Sequence, residues 1–147
     1  IYSMTAGIHC VSRARLTVEC SSIAEIEKGY LVLLGVGQED DRPTAERIAK
    51  KLASLRIFED ENGKTNLSIK DVGGSVLVVS QFTLYADTSH GNRPGFTLAA
   101  KPEQANELYE YFVEQCKKNG LPTKQGQFGA DMKVELLNDG PFTVILT

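Results

Sequence analysis

The stretch Val76–Tyr85, VLVVSQFTLY, decides how this chain is interpreted, because its character changes abruptly along its length. It opens as an apolar run typical of a buried strand. Hydrogen-bonding side chains then follow closely at Ser80, Gln81 and Thr83. Each would need a partner if buried, so the cluster indicates either a strand end emerging into solvent or a functional site. If the strand continued, Ser80 and Phe82 would share one face and their neighbours the other.

Composition fits one globular domain. The chain has 147 residues, of which 41% are hydrophobic and 24% charged, enough for a sizeable core. Its 3 cysteines are widely spaced, and an odd number argues against a disulfide framework. No apolar run approaches the roughly 18–20 residues of a membrane-spanning helix, and no signal pattern opens the chain. We expect a cytoplasmic protein without membrane association, in which Met4 is the natural start and residues 1–3 are an artificial addition.

The net charge of −3 gives no overall electrostatic case for nucleic-acid binding. A local basic patch could still contact phosphates. The candidates are Lys50-Lys51, Lys117-Lys118 and Lys124. Solvated helix faces are the alternative interpretation of these lysines.

Two segments have the apolar spacing of amphipathic helices. The first has Pro43 near its start. The second has Pro102 near its start and Gly120 as its stop. Their apolar positions are Ala45, Ile48, Ala49, Leu52 and Ala53 in the first, and Ala105, Leu108, Tyr109, Phe112, Val113 and Cys116 in the second.

The other segments are predicted strands. Gly7–Val11 and Arg15–Glu19 are expected to form a hairpin, and Asn62-Gly63 a turn after Ile57-Phe58. Further strands are predicted at Tyr30–Val36, Val76–Tyr85, Met132–Leu137 and Phe142–Thr147. The short link Asn138–Pro141 predicts antiparallel pairing of the last two. The pattern indicates a single α+β domain in which antiparallel sheets are covered by two helices.

Several common kinds of site are missing from the sequence. It has no GxxxxGK or GxGxxG phosphate loop and no HxxxH, HExxH or CxxC spacing, so we expect no cofactor and no metal. His9 and His90 lie in unrelated segments, and a catalytic triad is a minor alternative because its members meet only in space. The carboxylates of Asp40-Asp41 and Glu59-Asp60-Glu61 are interpreted as solvated loop groups.

A second unusual stretch is Asn138–Thr143, which reads NDGPFT. A Gly-Pro pair can present two carbonyls with no side chain between them. The sequence leaves two interpretations open: a specialised loop with a cis peptide, or an ordinary hairpin turn whose proline opens a strand.

Together the two motifs resemble those of the D-aminoacyl-tRNA deacylases, also called D-tyrosyl-tRNA deacylases. Their hallmark stretches are Ser-Gln-Phe-Thr-Leu, here Ser80–Leu84, and Asn-x-Gly-Pro-x-Thr, here Asn138–Thr143. Supporting similarity runs through Leu31–Val36, Arg56–Phe58, Gly73–Ser75, Arg93-Pro94 and Phe128–Met132. The resemblance covers nearly the whole chain from Met4 onward.

That resemblance implies a homodimer of curved, barrel-like antiparallel sheets with flanking helices. It implies hydrolysis of the ester joining a D-amino acid, or glycine, to the 3′-terminal adenosine of tRNA. In the family the Gly-Pro peptide is cis, and its carbonyls enter the partner subunit's site where an L side chain would lie. The implied filter is Gly140 and Pro141, the implied catalytic set is Ser80, Gln81, Phe82 and Thr83, and further substrate contacts are Asn138, Thr143, Phe128 and Met132.

Two mechanisms fit these residues. In one, Thr83 Oγ attacks the ester, although a threonine nucleophile needs an adjacent base and Gln81 is not one. In the other, the vicinal 2′-OH of the tRNA adenosine assists water, and main-chain N–H groups around Phe82 and Thr83 stabilise the oxyanion.

The chain departs from the family in its first strand, where His9-Cys10-Val11 replaces the usual Gln-Arg-Val. The family's arginine helps to fix the Gly-Pro loop, and Cys10 has no such fork of donors. We therefore predict a less rigid loop, unless Arg13 or Arg15 takes over.

Two rival functions are carried forward. One is the related deacylase type that removes mischarged small L-amino acids and has a Pro-Gln-containing first motif and a trans Gly-Pro. Ser80 and Phe82 favour the D-specific type instead. The other rival is a catalytically silent nucleic-acid-binding module on the same scaffold.

Overall fold

The structure, a computed structural model, describes residues 3–147. The predicted artificial addition therefore lies outside the described residues except for Ser3. The strands are β1 (Thr5–Val18), β2 (Ser21–Ile26), β3 (Gly29–Gly35), β4 (Phe58–Glu59), β5 (Thr65–Leu67), β6 (Ser75–Ser80), β7 (Thr123–Gln125) and β8 (Lys133–Leu146). The helices are α1 (Arg42–Ser54) and α2 (Pro102–Lys118), and a 3₁₀ turn spans Phe82–Tyr85. Within residues 3–147, neither helix has the length and apolar character needed to cross a membrane.

Strand β1 is the axis of the main sheet. One edge of β1 pairs with β3 and then with β2, while the other edge pairs with β8 along most of its length. The sheet continues in the order β2-β1-β3-β6-β7 and curls into a nearly closed barrel. The predicted α+β, barrel-like fold with two helices is confirmed. The pairing is mixed, however, because β3–β6 and β6–β7 are parallel.

The predicted hairpin near the start of the chain is wrong. Strand β1 runs without a break through both predicted strands, and its central residues Val11 and Ala14 are each 1% exposed. Residues at the expected turn are instead part of the continuous strand, where burial of Val11 and Ala14 keeps the backbone extended. The chain reverses later, at Glu19 and Cys20, whose φ angles of 48° and 67° suit a two-residue hairpin turn.

The predicted hairpin at the end of the chain is wrong for a related reason. Both predicted strands belong to the single strand β8 and pair with β1. The intervening residues bulge out of the ladder: His9 pairs with Thr143 and Val11 with Asn138, so a single β1 residue faces four residues of β8. We call residues 138–143 the bulge.

The core lies on both faces of the sheet, which explains the continuous apolar runs of β3 and β6. Alternate residues of these strands, including Tyr30 and Val78, pack against α1 and α2. Their neighbours, including Leu31 and Leu77, pack in the barrel interior. Both helices lie where the sequence predicts, and every apolar position predicted for them is buried.

The predicted helix ends and the predicted turn at Asn62-Gly63 are also confirmed. Asp41 caps α1 by accepting from the Thr44 N–H at 3.1 Å. Gly120, with φ of 86°, follows the C-cap of α2. Between β4 and β5, Gly63 has φ of 74° and the Asp60 carboxylate accepts from the N–H groups of Asn62 and Lys64.

Candidate active site

The strand that carries the first motif ends at Ser80, earlier than predicted. The Gln81 N–H still donates to Leu34 O at 2.8 Å, and the chain then enters the 3₁₀ turn. The alternation of faces predicted beyond Ser80 is therefore wrong, since it requires extended backbone. We call residues 80–85 the 80–85 turn.

A pocket of about 640 Å³ opens beside this turn. Ser80, Gln81 and Phe82 form one wall. The other lining residues are Val36, Val79, Phe96, Ala99, Ala100, Pro102, Ala105, Phe128, Gly129, Ala130, Asp131, Met132 and Val134. A largely apolar cavity with a few polar groups at one wall is typical of a site for a small organic group.

The mouth of the pocket holds an aromatic pair. Phe82 is 54% exposed, and its ring meets that of Phe96 edge-on, with centroids 5.1 Å apart and planes at 74°. Thr83 is exposed and does not line the pocket. Its Oγ1 accepts from the Gln81 side-chain amide, which cannot serve as a base.

The 80–85 turn also presents main-chain donors. The hydrogen bonds of the described residues include none from the N–H groups of Phe82 or Thr83. The first N–H groups of any helical turn lack an internal acceptor. These two groups are therefore able to donate to a ligand oxygen.

The bulge is held by its own side chains and by His9. Asn138 Oδ1 accepts from the Phe142 N–H at 2.9 Å, and Asn138 Nδ2 donates to Thr143 Oγ1 at 3.0 Å. His9 Nδ1 lies 3.0 Å from Thr143 Oγ1 and 3.1 Å from Asn138 Nδ2. His9 thus lies within hydrogen-bonding distance of both side chains.

The tip of the bulge is exposed backbone. Gly140 and Pro141 are exposed and joined by a cis peptide bond, as the family resemblance implies. Gly140 has φ of 141°, and a Cβ there would lie 2.9 Å from the Phe142 nitrogen. Glycine is therefore required at this position, because both the backbone angle and the space exclude a side chain.

The arginine hypothesis for fixing the bulge is not supported. Arg15 donates to both carboxylate oxygens of Glu135, at 2.9 and 2.8 Å. Among residues 3–147, no hydrogen bond joins Arg13 to the bulge. Cys10 is buried beneath it at 5% exposure, and burial, with a smaller effect of Asp139, raises the pKa of its thiol to about 11.

The interpretation of Asp40 as a solvated carboxylate is wrong. Asp40 is 8% exposed and accepts from the N–H groups of Gly37 and Met4. Asp41 and the Glu59-Asp60-Glu61 run are largely exposed, as predicted. The described residues contain no cluster of three or more metal-ligating side chains. The candidate basic residues are exposed, and Lys124 Nζ donates to Glu25 O at 2.8 Å.

The structure brings together only part of the predicted site. Ser80, Gln81, Phe82, Phe128 and Met132 line one pocket. Thr83, Asn138, Gly140, Pro141 and Thr143 do not line it. Sequence reasoning missed the lining residues Phe96, Ala99, Ala100, Pro102 and Ala105, because isolated apolar side chains carry no chemical signal. The Pro102 helix start could have indicated part of this lining.

Comparison with known proteins gives a consistent result. A family model described as D-Tyr-tRNA(Tyr) deacylase matches residues 8–147. The D-aminoacyl-tRNA deacylase of Koribacter versatilis is 58% identical over 143 residues, covering 97% of this chain and 96% of that protein. The D-aminoacyl-tRNA deacylase of Pectobacterium atrosepticum is 56% identical over 140 residues, covering 95% and 97%.

Solved structures share the fold. A structure titled "c-Myc DNA Unwinding Element Binding Protein" superposes with a TM-score of 0.90 at 42% identity, covering 97% of each chain. A probable eukaryotic D-amino acid tRNA deacylase superposes with a TM-score of 0.86 at 14% identity, covering 97% of this chain and 98% of that one. The second likeness concerns the fold alone.

Proposed function

The chain belongs to the D-Tyr-tRNA(Tyr) deacylase family, and from that premise we propose how it selects and cleaves its substrate. It is a D-aminoacyl-tRNA deacylase, an ester hydrolase. In our proposal it acts in the cytoplasm on D-aminoacyl-tRNA and glycyl-tRNA and rejects L-aminoacyl-tRNA. The observation that carries the proposal is the pocket, whose largely apolar lining includes Ser80, Gln81 and Phe82 of the first family motif.

Size and lining suit the aminoacylated end of tRNA. A cavity of about 640 Å³ falls within the range of roughly 300–1,000 Å³ usual for sites that bind compact organic groups. The apolar wall containing Phe128 and Met132 suits a base or an amino-acid side chain, while the 80–85 turn suits the ester carbonyl. This division of labour needs no metal and no cofactor.

Chiral selection is assigned to the backbone of the bulge. Gly140 and Pro141 lie at an exposed tip, and Gly140 tolerates no Cβ. Backbone atoms cannot rotate away as a side chain can, so an L side chain would meet a fixed obstacle. Such a clash can exceed the ~1–3 kcal/mol offered by a methyl-sized difference in a pocket. Glycine, without a side chain, would pass the same filter.

The filter requires a second copy of the chain. The bulge does not line the pocket of its own chain, and β8 pairs with β1 alone among the described strands. Its side chains Leu136, Leu137 and Ile145 are 39%, 51% and 64% exposed. An open strand edge beside apolar side chains suits a two-fold interface. We place the bulge of each subunit at the pocket of its partner.

The chemical step uses positioning and oxyanion donors. Water adds to the ester carbonyl, assisted by the vicinal 2′-OH of the adenosine. The bond from the carbonyl carbon to the ribose oxygen then breaks, and that oxygen takes up a proton. The Phe82 and Thr83 N–H groups stabilise the developing oxyanion, each worth roughly 2.7–4 kcal/mol. Thr83 Oγ1 contacts only Gln81 among the described hydrogen bonds, which disfavours the nucleophile mechanism.

Matched deacylation assays on D-Tyr-, L-Tyr- and Gly-tRNA test the proposed selectivity. We expect turnover of the D-Tyr and Gly esters and little turnover of the L ester. Equal rates on the D and L esters would exclude the backbone filter. Tight tRNA binding without any turnover would support the silent nucleic-acid-binding module instead.

Thr83→Val and Thr83→Ala test the mechanism. If Thr83 is a positioning group, kcat falls by less than about tenfold in both variants. Loss of about a thousandfold or more would identify the hydroxyl as the nucleophile. An acyl-enzyme trapped by acid quench, then seen by mass spectrometry, provides an independent check.

Complementation tests the shared site. Ser80→Arg places a long charged side chain in the pocket, and Gly140→Ala distorts the bulge, so neither homodimer is active. Co-refolded mixtures contain heterodimers with one intact site, which restores about a quarter of the wild-type activity per chain. Absence of recovery, with heterodimers verified by two affinity tags, excludes a site built from two subunits.

A further inference from the structure

Asp40 is a buried carboxylate that joins three separate segments. It lies in the connection between β3 and α1 and is 8% exposed. Its oxygens accept from the Gly37 N–H at 2.6 Å and from the Met4 main-chain N–H at 2.9 Å. Its Oδ2 also lies 3.4 Å from the Tyr85 hydroxyl oxygen. One side chain thus contacts the start of the sheet, the β3–α1 connection and the 80–85 turn.

The carboxylate is compensated without a cation. The ion pairs among residues 3–147 include none with Asp40. Buried carboxylates are costly unless hydrogen bonds replace their hydration, and here neutral N–H and O–H donors do so. Such a group is a strong constraint on geometry, because displacing any donor exposes an unmatched charge.

Tyr85 transmits this constraint to the 80–85 turn. Tyr85 is 3% exposed, and its hydroxyl also contacts Ser3 O. A Cβ on Gly37 would lie 2.8 Å from that hydroxyl, and one on Gly35 would lie 3.1 Å from the ring. The turn is therefore pressed against the end of β3 at Tyr85, while the Gln81 N–H fixes its other end to Leu34 O.

The same connection also positions a second part of the pocket lining. Gly37 pairs with Ala99 in an isolated bridge, and the Ala100 N–H donates to Val36 O at 2.9 Å. Ala99 and Ala100 both line the pocket. Movement of Gly37 would therefore shift that part of the lining relative to the 80–85 turn.

We propose that Asp40 is a positioning residue for deacylation: through Tyr85 and Gly37 it sets the distance between the 80–85 turn and the pocket lining at Ala99 and Ala100. Asp40 touches no substrate and exchanges no proton. This inference rests on the proposed function of the pocket, since the atoms that it positions are the Phe82 and Thr83 N–H donors.

The kinetic test uses Asp40→Asn and Tyr85→Phe. Asp40→Asn keeps size but turns one acceptor into a donor facing N–H groups, so we expect kcat on D-Tyr-tRNA to fall about tenfold or more. KM should change by less than about twofold, because the apolar walls remain. Tyr85→Phe removes only the hydroxyl and should lower kcat in the same way by a smaller factor. The double variant should be little worse than Asp40→Asn, since both act through one contact.

Asp41→Ala is the matched control. It removes a neighbouring carboxylate that caps α1 through Thr44, so it lowers the melting temperature while leaving kcat unchanged. If Asp40 had only a structural role, Asp40→Asn would behave like Asp41→Ala. Its melting temperature would be lower, but its kcat would equal that of the wild type at a temperature where the variant is folded. That result overturns the proposal.

An activity-independent readout separates this proposal from the proposed function. In Tyr85→Phe, backbone NMR should show the largest changes in amide chemical shift at Phe82, Thr83 and Ala99. These residues form no hydrogen bond with the Tyr85 hydroxyl. Changes confined to Ser3, Met4 and Gly37 overturn the positioning role. If the wild-type protein does not hydrolyse D-Tyr-tRNA, the proposed function fails, whereas the amide shifts still decide whether Asp40 sets this geometry.

Discussion

The 80–85 turn and the 138–143 bulge carry the two motifs of the family, yet they are held in opposite ways. The turn is anchored in the core: Tyr85 is 3% exposed, and its hydroxyl oxygen lies 3.4 Å from Oδ2 of the buried Asp40. The bulge projects from the sheet edge, and its own Asn138 and Thr143 hold it together with His9. The proposed two-subunit site thus combines a rigid half, which contains the 80–85 turn and is fixed by long-range contacts, with a projecting half, the bulge, which is fixed by local ones.

Gly140→Ala is expected to have the largest effect, and it tests whether deacylation depends on the bulge. The new Cβ would lie 2.9 Å from the Phe142 nitrogen at φ of 141°, so the tip of the bulge must move. We expect D-Tyr-tRNA deacylation to fall about 100-fold, the effect typical of a misplacement near 1 Å. Steady-state kinetics and a melting curve measure the two effects separately.

Gly91→Ala is the control for that experiment. Gly91 also has positive φ, at 72°, but a Cβ there meets nothing within 4 Å. It should lower stability slightly and leave deacylation intact. Equal activity losses in both variants would mean that backbone strain in general, rather than the bulge, is responsible.

Asn138→Ala tests the local fixing of the bulge with a smaller expected effect. It removes the acceptor for the Phe142 N–H and the donor to Thr143 Oγ1. We expect the loss of these hydrogen bonds to destabilise the ordered bulge by about 1.4 kcal/mol. That free energy corresponds to about a tenfold lower rate of deacylation. Asn119→Ala, which removes a donor to Gln115 O at the end of α2, should not affect the rate. An unchanged rate in Asn138→Ala would show that something else holds the bulge.

Tyr109→Phe addresses the rigid half. The Tyr109 hydroxyl is buried and donates to Val78 O at 2.8 Å, and its ring lies 6.0 Å from that of Phe128 in the pocket wall. Its removal should lower the free energy of unfolding by about 1–2 kcal/mol in urea titrations. The Tyr111 hydroxyl is exposed and contacts Glu46. Tyr111→Phe should therefore lower the free energy of unfolding by about 0.5 kcal/mol or less. Equal costs would contradict the assignment of Tyr109 to the rigid half.

Cysteine labelling at pH 8 gives the finest comparison. Cys20 is exposed, while burial raises the pKa of Cys10 to about 11 and that of Cys116 to about 12. Because the thiolate is the reactive form, raised pKa values slow labelling at this pH. We expect one fast thiol by Ellman assay, then Cys10, then Cys116, with mass spectrometry assigning the order. Cys10 should precede Cys116 because it is 5% exposed, against 0% for Cys116, and has the lower pKa. The reverse order would contradict the weaker burial of Cys10 beside the bulge.

Much of the fold was predictable because local signals agreed with it. Both helices have periodic apolar positions and prolines at their starts, and both formed where expected. The two hairpin errors share one cause. Ser12-Arg13 and Asn138–Pro141 contain polar or turn-forming residues, but pairing between β1 and β8 keeps each strand continuous. Pairing of distant segments is invisible to local patterns.

The site was predictable to the extent that its residues have chemical identity. Ser80, Gln81 and Phe82 stood out in an apolar run, and they do line the pocket. Ala99 and Ala105 could not be found, since they contribute shape alone. Asp40 was misread because a pair of aspartates looks solvated in sequence, while only three-dimensional contacts reveal that one of them is buried.

The pairing of β1 with β8 also sets the order of events on the ribosome. Ala6 pairs with Leu146 and Thr17 with Lys133, so strand β1 lacks this partner until residues 133–146 have been translated. At synthesis rates of about 5–20 residues per second, that delay is on the order of ten seconds. Throughout it, one long edge of β1 is open to chaperones or to neighbouring nascent chains. Slow codons anywhere between β1 and β8 would therefore lengthen the time for which this edge is open.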